Sequence, residues 1–309
     1  MSKLEKYQGV IPAFYACYGD DGEVSPERAR ALMEYLIARG VKGVYVGGSS
    51  GECIYQGVAE RKRLLEAVME ANRGRVTVIA HVACNNTRDS AELAAHAESL
   101  GVDAIASIPP IYFRLPEASI ARYWNDISAA APNTDFIIYN IPQLAGVALT
   151  LPLLREMLKN PRVIGVKNSS MPTQDIQQFK YEGSLGGRDF VVFNGPDEQI
   201  VSGLAMGADG GIGGTYGAMP ELIVKLFALV KSGEAEQARA LQYDVNNIIY
   251  ALCGGKCNMY AAIKETLRRR EGLDLGGVRA PLQPYADTDD AAIAYAVELI
   301  DKAMERWVR

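Results

Sequence analysis

The alternation of strand-like and helix-like segments along the chain most constrains its fold. Amphipathic stretches separate the strands, and Ser25 before Pro26 and Glu27, for example, is a good helix start. Eight βα units in about 200 residues predict an α/β fold, the (β/α)8 TIM barrel. The eighth strand is rich in glycine, so a doubly wound sheet is the alternative. The predicted strands are the short apolar runs 10–18, 43–46, 76–82, 104–108, 136–141, 163–167, 190–193 and 207–212.

Three further helices are predicted after the barrel, at 234–253, 258–271 and 287–309. No linker or low-complexity segment separates them from the preceding units. We therefore predict one domain over residues 1–309, with the barrel at 8–233 and a C-terminal three-helix appendage at 234–309.

Composition excludes several classes of protein. The 309 residues are 49% hydrophobic and 22% charged, as in globular proteins, and the net charge of -5 predicts no attraction to nucleic acid or anionic membranes. No apolar run is long enough to span a membrane, and residues 1–6 lack a signal-peptide core, which predicts a cytoplasmic protein. Five cysteines without metal-site spacing and two histidines predict no metal centre.

Lys167 ends the sixth predicted strand, in an apolar run that we expect to be buried. Alternation along the strand places Val163, Gly165 and Lys167 on one face. Burial disfavours an ammonium ion and lowers the pKa of an amine, so the neutral amine becomes a nucleophile toward carbonyls. Taken alone, a lysine that reaches solvent or pairs with a carboxylate is the more common arrangement. The other strand ends favour a reactive lysine.

Three other strand ends carry polar groups, and in a (β/α)8 barrel functional residues project from these ends. The second strand ends in the loop 47–52, whose small residues and hydroxyls suit an anion, although an ordinary glycine turn is the alternative. Tyr139 shares a face with Ile137, so its phenol can point into the barrel, where it either finds a hydrogen-bond partner or moves a proton. Asp197 and Glu198 follow the seventh strand, where they either cap a helix or bind substrate hydroxyls.

An anion loop, a tyrosine and a strand-end lysine meet the needs of a ketone-Schiff-base aldolase. The amine attacks the carbonyl of a 2-oxo acid, and the iminium accepts electrons when a C–C bond breaks to give an enamine. The covalent lysine adduct replaces a cofactor, so we expect no cofactor and no metal.

Five strings in the chain are similar to those of a known family: GVYVGGSSGE, VIAHVACNNT, YNIPQLAGVALT, GVKNSS and VFNGPDEQIVSGLAMGADGGIGGTY. They occur in this order over residues 43–216, and GVIPAFYACYGDDGEVS fits the family's opening strand. The chain thus resembles the dihydrodipicolinate synthase/N-acetylneuraminate lyase family of class I pyruvate aldolases, and most of all its N-acetylneuraminate lyase branch. The resemblance implies a homotetrameric lyase of carbohydrate metabolism that reversibly cleaves the sialic acid N-acetylneuraminate to N-acetylmannosamine and pyruvate.

The resemblance also implies a role for each candidate residue. Lys167 forms the Schiff base, and Tyr139 relays the proton to and from the hydroxyl at the bond that breaks. Tyr112 reaches across a subunit contact into the neighbouring site. The implied substrate-binding positions are Gly48, Ser49 and Ser50 for the carboxylate, Gly195, Asp197 and Glu198 for the polyhydroxyl tail, and Ser169, Gly214 and Tyr260 in the rest of the pocket.

Two positions distinguish branches of the family. Leu144 stands where dihydrodipicolinate synthases have an arginine for the second substrate's carboxylate, which argues against that activity. Gly214 stands where the lyase pattern has a serine that binds the sugar tail. The absence of that serine costs about 1 kcal/mol of binding or leaves room for a water. An aldolase or dehydratase of another 2-keto-3-deoxy sugar acid is therefore the alternative.

Two alternatives come from other classes of protein. A non-catalytic 2-oxo acid sensor could use the same pocket, but it would not need both Lys167 and Tyr139. An unrelated phosphate- or flavin-binding barrel could use the glycine-rich segment GADGGIGGTYG as an anion loop. That segment lacks the G-x-G-x-x-G pattern, and glycines on a barrel strand also serve close packing.

Overall fold

The computed structural model describes residues 4–308 of the chain. Residues 1–3, part of the start on which the cytoplasmic prediction relies, and Arg309, at the end of the predicted appendage, lie outside the described residues. The strands are β1 (Val10–Pro12), β2 (Gly43–Val46), β3 (Thr77–His81), β4 (Ala104–Ser107), β5 (Asp135–Asn140), β6 (Val163–Asn168), β7 (Val191–Asn194) and β8 (Gly210–Gly213).

Helices follow the strands along the chain and continue beyond β8. Those up to β8 are α1 (Pro26–Ala38), α2 (Val58–Asn72), α3 (Thr87–Ser99), α4 (Glu117–Ala130), α5 (Pro142–Ala145), α6 (Leu151–Met157), α7 (Gln174–Gly183) and α8 (Ile200–Ala205). Those after β8 are α9 (Pro220–Lys231), α10 (Ala235–Leu252), α11 (Met259–Glu271) and α12 (Asp290–Trp307). The last three confirm the predicted C-terminal helices.

The strands form one sheet in the order β1-β8-β7-β6-β5-β4-β3-β2, and the ladders from β2 to β8 are parallel. The Gly211 N–H donates to the Gly9 carbonyl (2.9 Å) and the Lys42 N–H to the Val10 carbonyl (2.8 Å). These bonds bring the start of β1 next to both β8 and β2, so the sheet closes. A doubly wound sheet reverses its strand order partway, whereas this order follows the chain. The predicted (β/α)8 barrel is therefore confirmed.

The first and last strands differ from their predicted bounds. β1 ends at Pro12, which has no N–H to donate to a ladder, although the chain stays buried to residue 18. β8 begins three residues later than predicted, at Gly210. A Cβ on Gly210 would lie 2.7 Å from the Gly9 carbonyl oxygen, so glycine is needed where these two strands meet.

The barrel interior is filled by side chains that alternate along the strands. The bulkiest are aromatic, and small alanines on β4 leave room for them. The interior cluster consists of Leu4, Tyr7, Ile11, Tyr45, Ile79, Ala104, Ala106, Ile137, Tyr139, Val191, Phe193 and Ile212.

The chain divides into two compact units. Of the described residues, the first contains 4–11, 42–46 and 77–213, and so holds β2 to β8 and most of β1. The second contains 12–41, 47–76 and 214–308, in which α12 packs against α10 and α11. The predicted division between a barrel at 8–233 and an appendage at 234–309 stays a prediction.

Candidate active site

Lys167 lies at the carboxyl end of β6 and is only 4% exposed. Its Nζ lies 3.9 Å from the centroid of the Tyr139 ring and 4.3 Å from that of Tyr45. Aromatic faces carry partial negative charge and attract a nearby ammonium ion. The amine is thus held at the end of the barrel interior and does not extend into solvent.

A bulge between β5 and β6 precedes this lysine. Phe136 pairs with Val163, but the next residue of β5, Ile137, pairs with Gly165. β6 therefore has one extra residue, Ile164, which packs against the interior cluster.

The bulge determines which face of β6 points inward. Beyond it Tyr139 pairs with Lys167, and because Tyr139 belongs to the interior cluster, Lys167 faces the interior as predicted. Val163 pairs instead with Phe136, the residue before the inward-facing Ile137. The prediction that Val163 shares the face of Lys167 is therefore wrong, because strict alternation does not count the bulge.

Two rings beside Tyr139 were missed by the sequence analysis. The Tyr139 ring meets Tyr45 of β2 at a centroid distance of 5.7 Å and His81 of β3 at 5.9 Å, both edge-on. Edge-to-face packing holds the rings in fixed orientations around the amine. Both residues face the interior, since Tyr45 pairs with Ile79 and His81 with Ala106, which belong to the interior cluster, but no local signal in the sequence places either ring beside Tyr139.

The loops after β6 and β7 bring two predicted substrate-binding positions, Gly195 and Ser169, together. The Gly195 N–H donates to the Asn168 carbonyl (2.8 Å), and a Cβ on Gly195 would lie 2.0 Å from the Ser169 Oγ. Only glycine allows this approach. Asp197 begins the turn that follows and is buried, whereas Glu198 beside it is exposed.

In the second unit, the loop after β2 forms a tight turn at Ser49–Gly51. The Gly51 N–H donates to the Gly48 carbonyl (3.0 Å), Ser50 is buried and Ser49 is half-buried. Glu52 ends the turn with φ of 53°, in the left-handed region that non-glycine residues seldom occupy. Of the three residues predicted to hold a carboxylate, Ser49 and Ser50 therefore lie in this turn and Gly48 directly precedes it.

Gly214, the departure from the lyase pattern, lies in a small group of residues of the second unit. A Cβ there would be 3.3 Å from the Ser50 Oγ and 3.9 Å from the Tyr260 hydroxyl. The Tyr15 hydroxyl donates to the Gly214 carbonyl (2.9 Å). Gly214, Ser50 and Tyr260 thus adjoin one another.

A buried ion pair stands behind the Ser49–Gly51 turn. Lys264 Nζ lies 3.0 Å from the Glu52 carboxylate and donates to the Gly277 carbonyl (2.6 Å), and the Arg279 N–H donates to Glu52 (2.9 Å). Burial holds the pKa of Lys264 below its ordinary value, and Glu52 opposes this shift. Burial also raises the pKa of the nearby Cys17 thiol to about 12, so this thiol stays protonated. The sequence analysis missed this pair.

Tyr112 lies in the loop after β4. It is 90% exposed, its φ of 86° is in the left-handed region, and its ring meets that of Phe113 edge-on at 5.1 Å. A bulky residue at positive φ stores backbone strain. The predicted reach of Tyr112 into a neighbouring subunit stays a prediction.

The described part of the chain holds no assembled metal site and no membrane-spanning helix. Among residues 4–308, no three His, Cys, Asp or Glu side chains are grouped so that they could hold a metal. In the same range no helix is both long and apolar enough to cross a bilayer. None of the five cysteines, which all lie within residues 4–308, forms a disulfide.

Known proteins are similar to this chain over nearly its whole length. The model of the dihydrodipicolinate synthetase family matches residues 6–299. The N-acetylneuraminate lyase of Mediterraneibacter gnavus is 61% identical over 308 residues, 100% of this chain and 97% of that protein. The N-acetylneuraminate lyase of Rhizobium meliloti is 35% identical, over 94% of this chain and 95% of that protein. A solved structure of the Ruminococcus gnavus sialic acid aldolase, a catalytic lysine mutant, has a TM-score of 0.97 at 60% identity and 100% coverage of both chains.

Proposed function

Since this chain belongs to the dihydrodipicolinate synthetase family, we propose that it is a Schiff-base aldolase that reversibly cleaves N-acetylneuraminate to N-acetylmannosamine and pyruvate. The family resemblance read from the sequence is confirmed. The observation that carries the proposal is the buried amine of Lys167, which lies between two tyrosine rings at the carboxyl end of β6. The similar Ruminococcus gnavus sialic acid aldolase also has a catalytic lysine.

Lys167 supplies the electron sink in the proposed mechanism. Its neutral amine adds to the 2-oxo carbon of the substrate, and loss of water gives an iminium ion. When the neighbouring C–C bond breaks, its electron pair moves toward the iminium nitrogen and leaves an enamine. Protonation of the enamine and hydrolysis by water release pyruvate and restore the amine. The covalent adduct does the work of a cofactor, so we propose that the enzyme uses no cofactor.

Tyr139 is the proposed proton relay. The hydroxyl on the carbon that becomes the aldehyde must lose its proton as the C–C bond breaks, and a phenol at this distance from the amine suits that transfer. Tyr139 lies on the interior face, its ring 3.9 Å from the Lys167 Nζ. Edge-on contacts to Tyr45 and His81 limit the positions that the ring can take.

The remaining candidates are proposed to bind the two ends of the substrate. The ordered turn Ser49–Gly51, with Gly48 before it, offers hydroxyls and backbone N–H groups for the carboxylate. Asp197 and Glu198 offer carboxylate oxygens, which accept hydrogen bonds from sugar hydroxyls. Ser169 and Tyr260 are proposed to complete the pocket.

Gly214 is the reason for considering a second substrate class as the alternative. No hydroxyl can extend from this position, and the Tyr260 hydroxyl and the Ser50 Oγ are the side-chain atoms nearest to its missing Cβ. A shorter 2-keto-3-deoxy sugar acid would not need the tail contact that a serine makes. The Schiff-base step would be the same with either substrate.

The assembly and location of the enzyme belong to the same proposal. A homotetramer would give the 90% exposed Tyr112 a protein surface to meet, and Tyr112 would then enter the neighbouring active site. We further propose that the enzyme acts in the cytoplasm, in carbohydrate metabolism.

The test measures pyruvate release from N-acetylneuraminate and from 2-keto-3-deoxygluconate at equal enzyme concentration. Release from N-acetylneuraminate at a much higher kcat/KM supports the proposed substrate. Preference for the shorter acid keeps the Schiff-base chemistry and moves the enzyme to the second class. Release from neither acid, together with no borohydride-trapped adduct with pyruvate, would overturn the proposal and favour a 2-oxo acid sensor.

A further inference from the structure

Three neighbouring strands of the barrel end in the same residue type. Asn140, Asn168 and Asn194 are the last residues of β5, β6 and β7, and the sheet register pairs Asn140 with Asn168 and Asn168 with Asn194. All three are buried. Each directly follows one of Tyr139, Lys167 and Phe193, which pair across the strands and face the interior. By alternation, the side chain of each asparagine therefore points away from the interior. We call these three residues the asparagine row.

A hydrogen bond joins the side chains of the first two members of the row. The Asn140 Nδ2 donates to the Asn168 Oδ1 at 2.7 Å, and both residues are buried. The Asn140 Oδ1 accepts from the Leu149 N–H at 2.9 Å, at the end of the loop that follows β5. One amide therefore fixes the end of its own strand, the next strand and the loop between them.

The other two members hold the loops after their own strands. The Asn168 Oδ1 also accepts from the Ser170 Oγ (3.0 Å), which in turn lies 2.7 Å from the Asp175 carboxylate. The Asn194 Nδ2 donates to the Pro196 carbonyl (2.7 Å).

The row also determines how closely a helix can approach. A Cβ on Gly203 of α8 would lie 2.1 Å from the Asn194 Oδ1, so the absence of a side chain at Gly203 lets the helix pack directly on this amide. A row that is buried between strand ends and following segments has little freedom to move.

We propose that Asn140, Asn168 and Asn194 are positioning residues for the reaction, because they hold the strand ends that carry Tyr139 and Lys167. This inference rests on the proposed function. The amides point away from the interior and act through the backbone, so they need not touch the substrate. A displacement of about 1 Å between reacting groups can cost about 100-fold in rate.

The test compares two substitutions of buried asparagines by leucine. Asn168→Leu removes the acceptor of the row, and Asn72→Leu is the matched control. Asn72 is also buried and also ties down a loop, since its amide donates to the Val76 carbonyl (2.8 Å) and accepts from the Val76 N–H (3.0 Å). It lies at the end of α2, before β3 begins, and so on the amino side of a strand.

We expect Asn168→Leu to lower kcat by about 100-fold and to slow borohydride trapping of the pyruvate adduct, with KM changed much less. Asn72→Leu should lower Tm about as much as Asn168→Leu does, but it should leave kcat within about twofold of wild type. If Asn168→Leu does not fold, Asn168→Ser replaces it, because a shorter hydroxyl cannot reach Asn140. Equal values of kcat for the row variant and the Asn72 control would overturn the proposal.

A conservative variant separates positioning from general loss of packing. Asn168→Asp keeps an oxygen for Asn140 and Ser170 and replaces the Nδ2, which has no hydrogen-bond partner within residues 4–308, with a second oxygen that is charged when the carboxyl is ionised. We expect Asn168→Asp to recover at least about tenfold of the kcat lost in Asn168→Leu. No recovery in a folded Asp variant would count against the row.

Failure of the row and failure of the proposed function give different results. If pyruvate and borohydride do not modify the wild-type protein, the proposed function is wrong and the positioning role falls with it. If they modify the wild-type protein at Lys167 and Asn168→Leu keeps the wild-type kcat, only the role of the row is wrong.

Discussion

Lys167 and Lys264 are both buried lysines, but what surrounds their amines differs. The Lys167 Nζ lies 3.9 and 4.3 Å from the ring centroids of Tyr139 and Tyr45. The Lys264 Nζ lies 3.0 Å from the Glu52 carboxylate and 2.6 Å from the Gly277 carbonyl oxygen. The first amine meets the faces of rings, and the second meets oxygen atoms that bind an ammonium ion tightly.

The comparison shows that burial alone does not identify a reactive lysine. A carboxylate in contact favours the protonated amine, which has no electron pair to attack a carbonyl. Burial lowers the pKa of Lys264, but the carboxylate and carbonyl that it contacts hold the amine in a structural role. The substitutions below test this difference, beginning with the largest expected effect.

The same substitution at both lysines should have opposite consequences for chemistry. Lys167→Met removes the nucleophile, and we expect pyruvate release to fall by about 10⁴-fold or more, with no adduct trapped by borohydride. Lys264→Met should still form the adduct in whatever fraction folds. Mass spectrometry of the trapped protein locates the adduct, and an adduct on Lys264 in the wild-type enzyme would break the comparison.

Tyr139→Phe should separate adduct formation from cleavage. The ring contact with Lys167 is kept, so trapping with pyruvate should continue, while cleavage falls by about 10²- to 10⁴-fold because the proton relay is lost. Tyr45→Phe is the matched control, since its ring also faces the amine, and we expect a smaller loss. Cleavage at the wild-type rate by Tyr139→Phe would refute the assigned relay.

The Glu52–Lys264 ion pair should contribute to stability in a way that the Lys167 amine does not. Glu52→Gln leaves the Lys264 ammonium buried beside a neutral group, and we expect a loss of about 3 kcal/mol in the free energy of unfolding, measured in urea. The double variant Glu52→Leu with Lys264→Met removes both charges and should recover most of this loss. A double variant as unstable as the single one would show that the charges are not the cause.

The smallest effect is expected at the outer edge of the same network. Glu60 pairs with the Arg279 guanidinium and accepts from the Gly57 N–H (2.8 Å), and mainly the bond to Arg279 holds its pKa below the ordinary 4.5. Glu60→Gln should therefore cost about 1 kcal/mol at pH 7. A lowered carboxyl pKa stabilises the fold above about pH 4.5, and this contribution is lost as the pH falls through the folded-state value.

The measurement is the difference in Tm between wild type and Glu60→Gln at pH 7 and at successively lower pH. The difference should shrink below about pH 4.5. Glu70→Gln is the control, because Glu70 pairs with Arg30 on an exposed surface and should give almost no difference at any pH. A difference at Glu60 that grows in acid would contradict the assigned ion pair.

The parts of the fold that depend on local pattern were predictable from the sequence. Periodicity located all eight strands within a few residues at most ends, and the barrel followed from their alternation with helices. Position at a strand end singled out Lys167, and alternation placed Tyr139 on the interior face. The end of β1 and the start of β8 were predicted less accurately. Pro12 has no N–H to donate to a neighbouring strand, and Gly210 is needed because the Gly9 backbone lies so close, and both effects depend on the partner strand.

Features that depend on distant pairing were not predictable. Glu52 and Lys264 are 212 positions apart, and neither is unusual in its local context. Tyr45 and His81 stand beside Tyr139 only because the strands curve into a barrel. The asparagine row had a weak signal, one asparagine directly after each of three inward-facing residues, but its hydrogen bonds depend on the register between the strands.

Because of the bulge in β6, the direction in which the Lys167 amine points depends on the number of residues in this strand. With unbroken pairing from Phe136 and Val163, Tyr139 would stand opposite Val166, and Lys167 would belong to the outward set. The extra residue shifts the pairing of the residues that follow it by one position and turns the Lys167 amine inward. Substitutions along this strand keep the number of its residues and therefore this direction, whereas loss or gain of a single residue reverses the direction. During divergence this stretch can therefore vary in side chains more freely than in length.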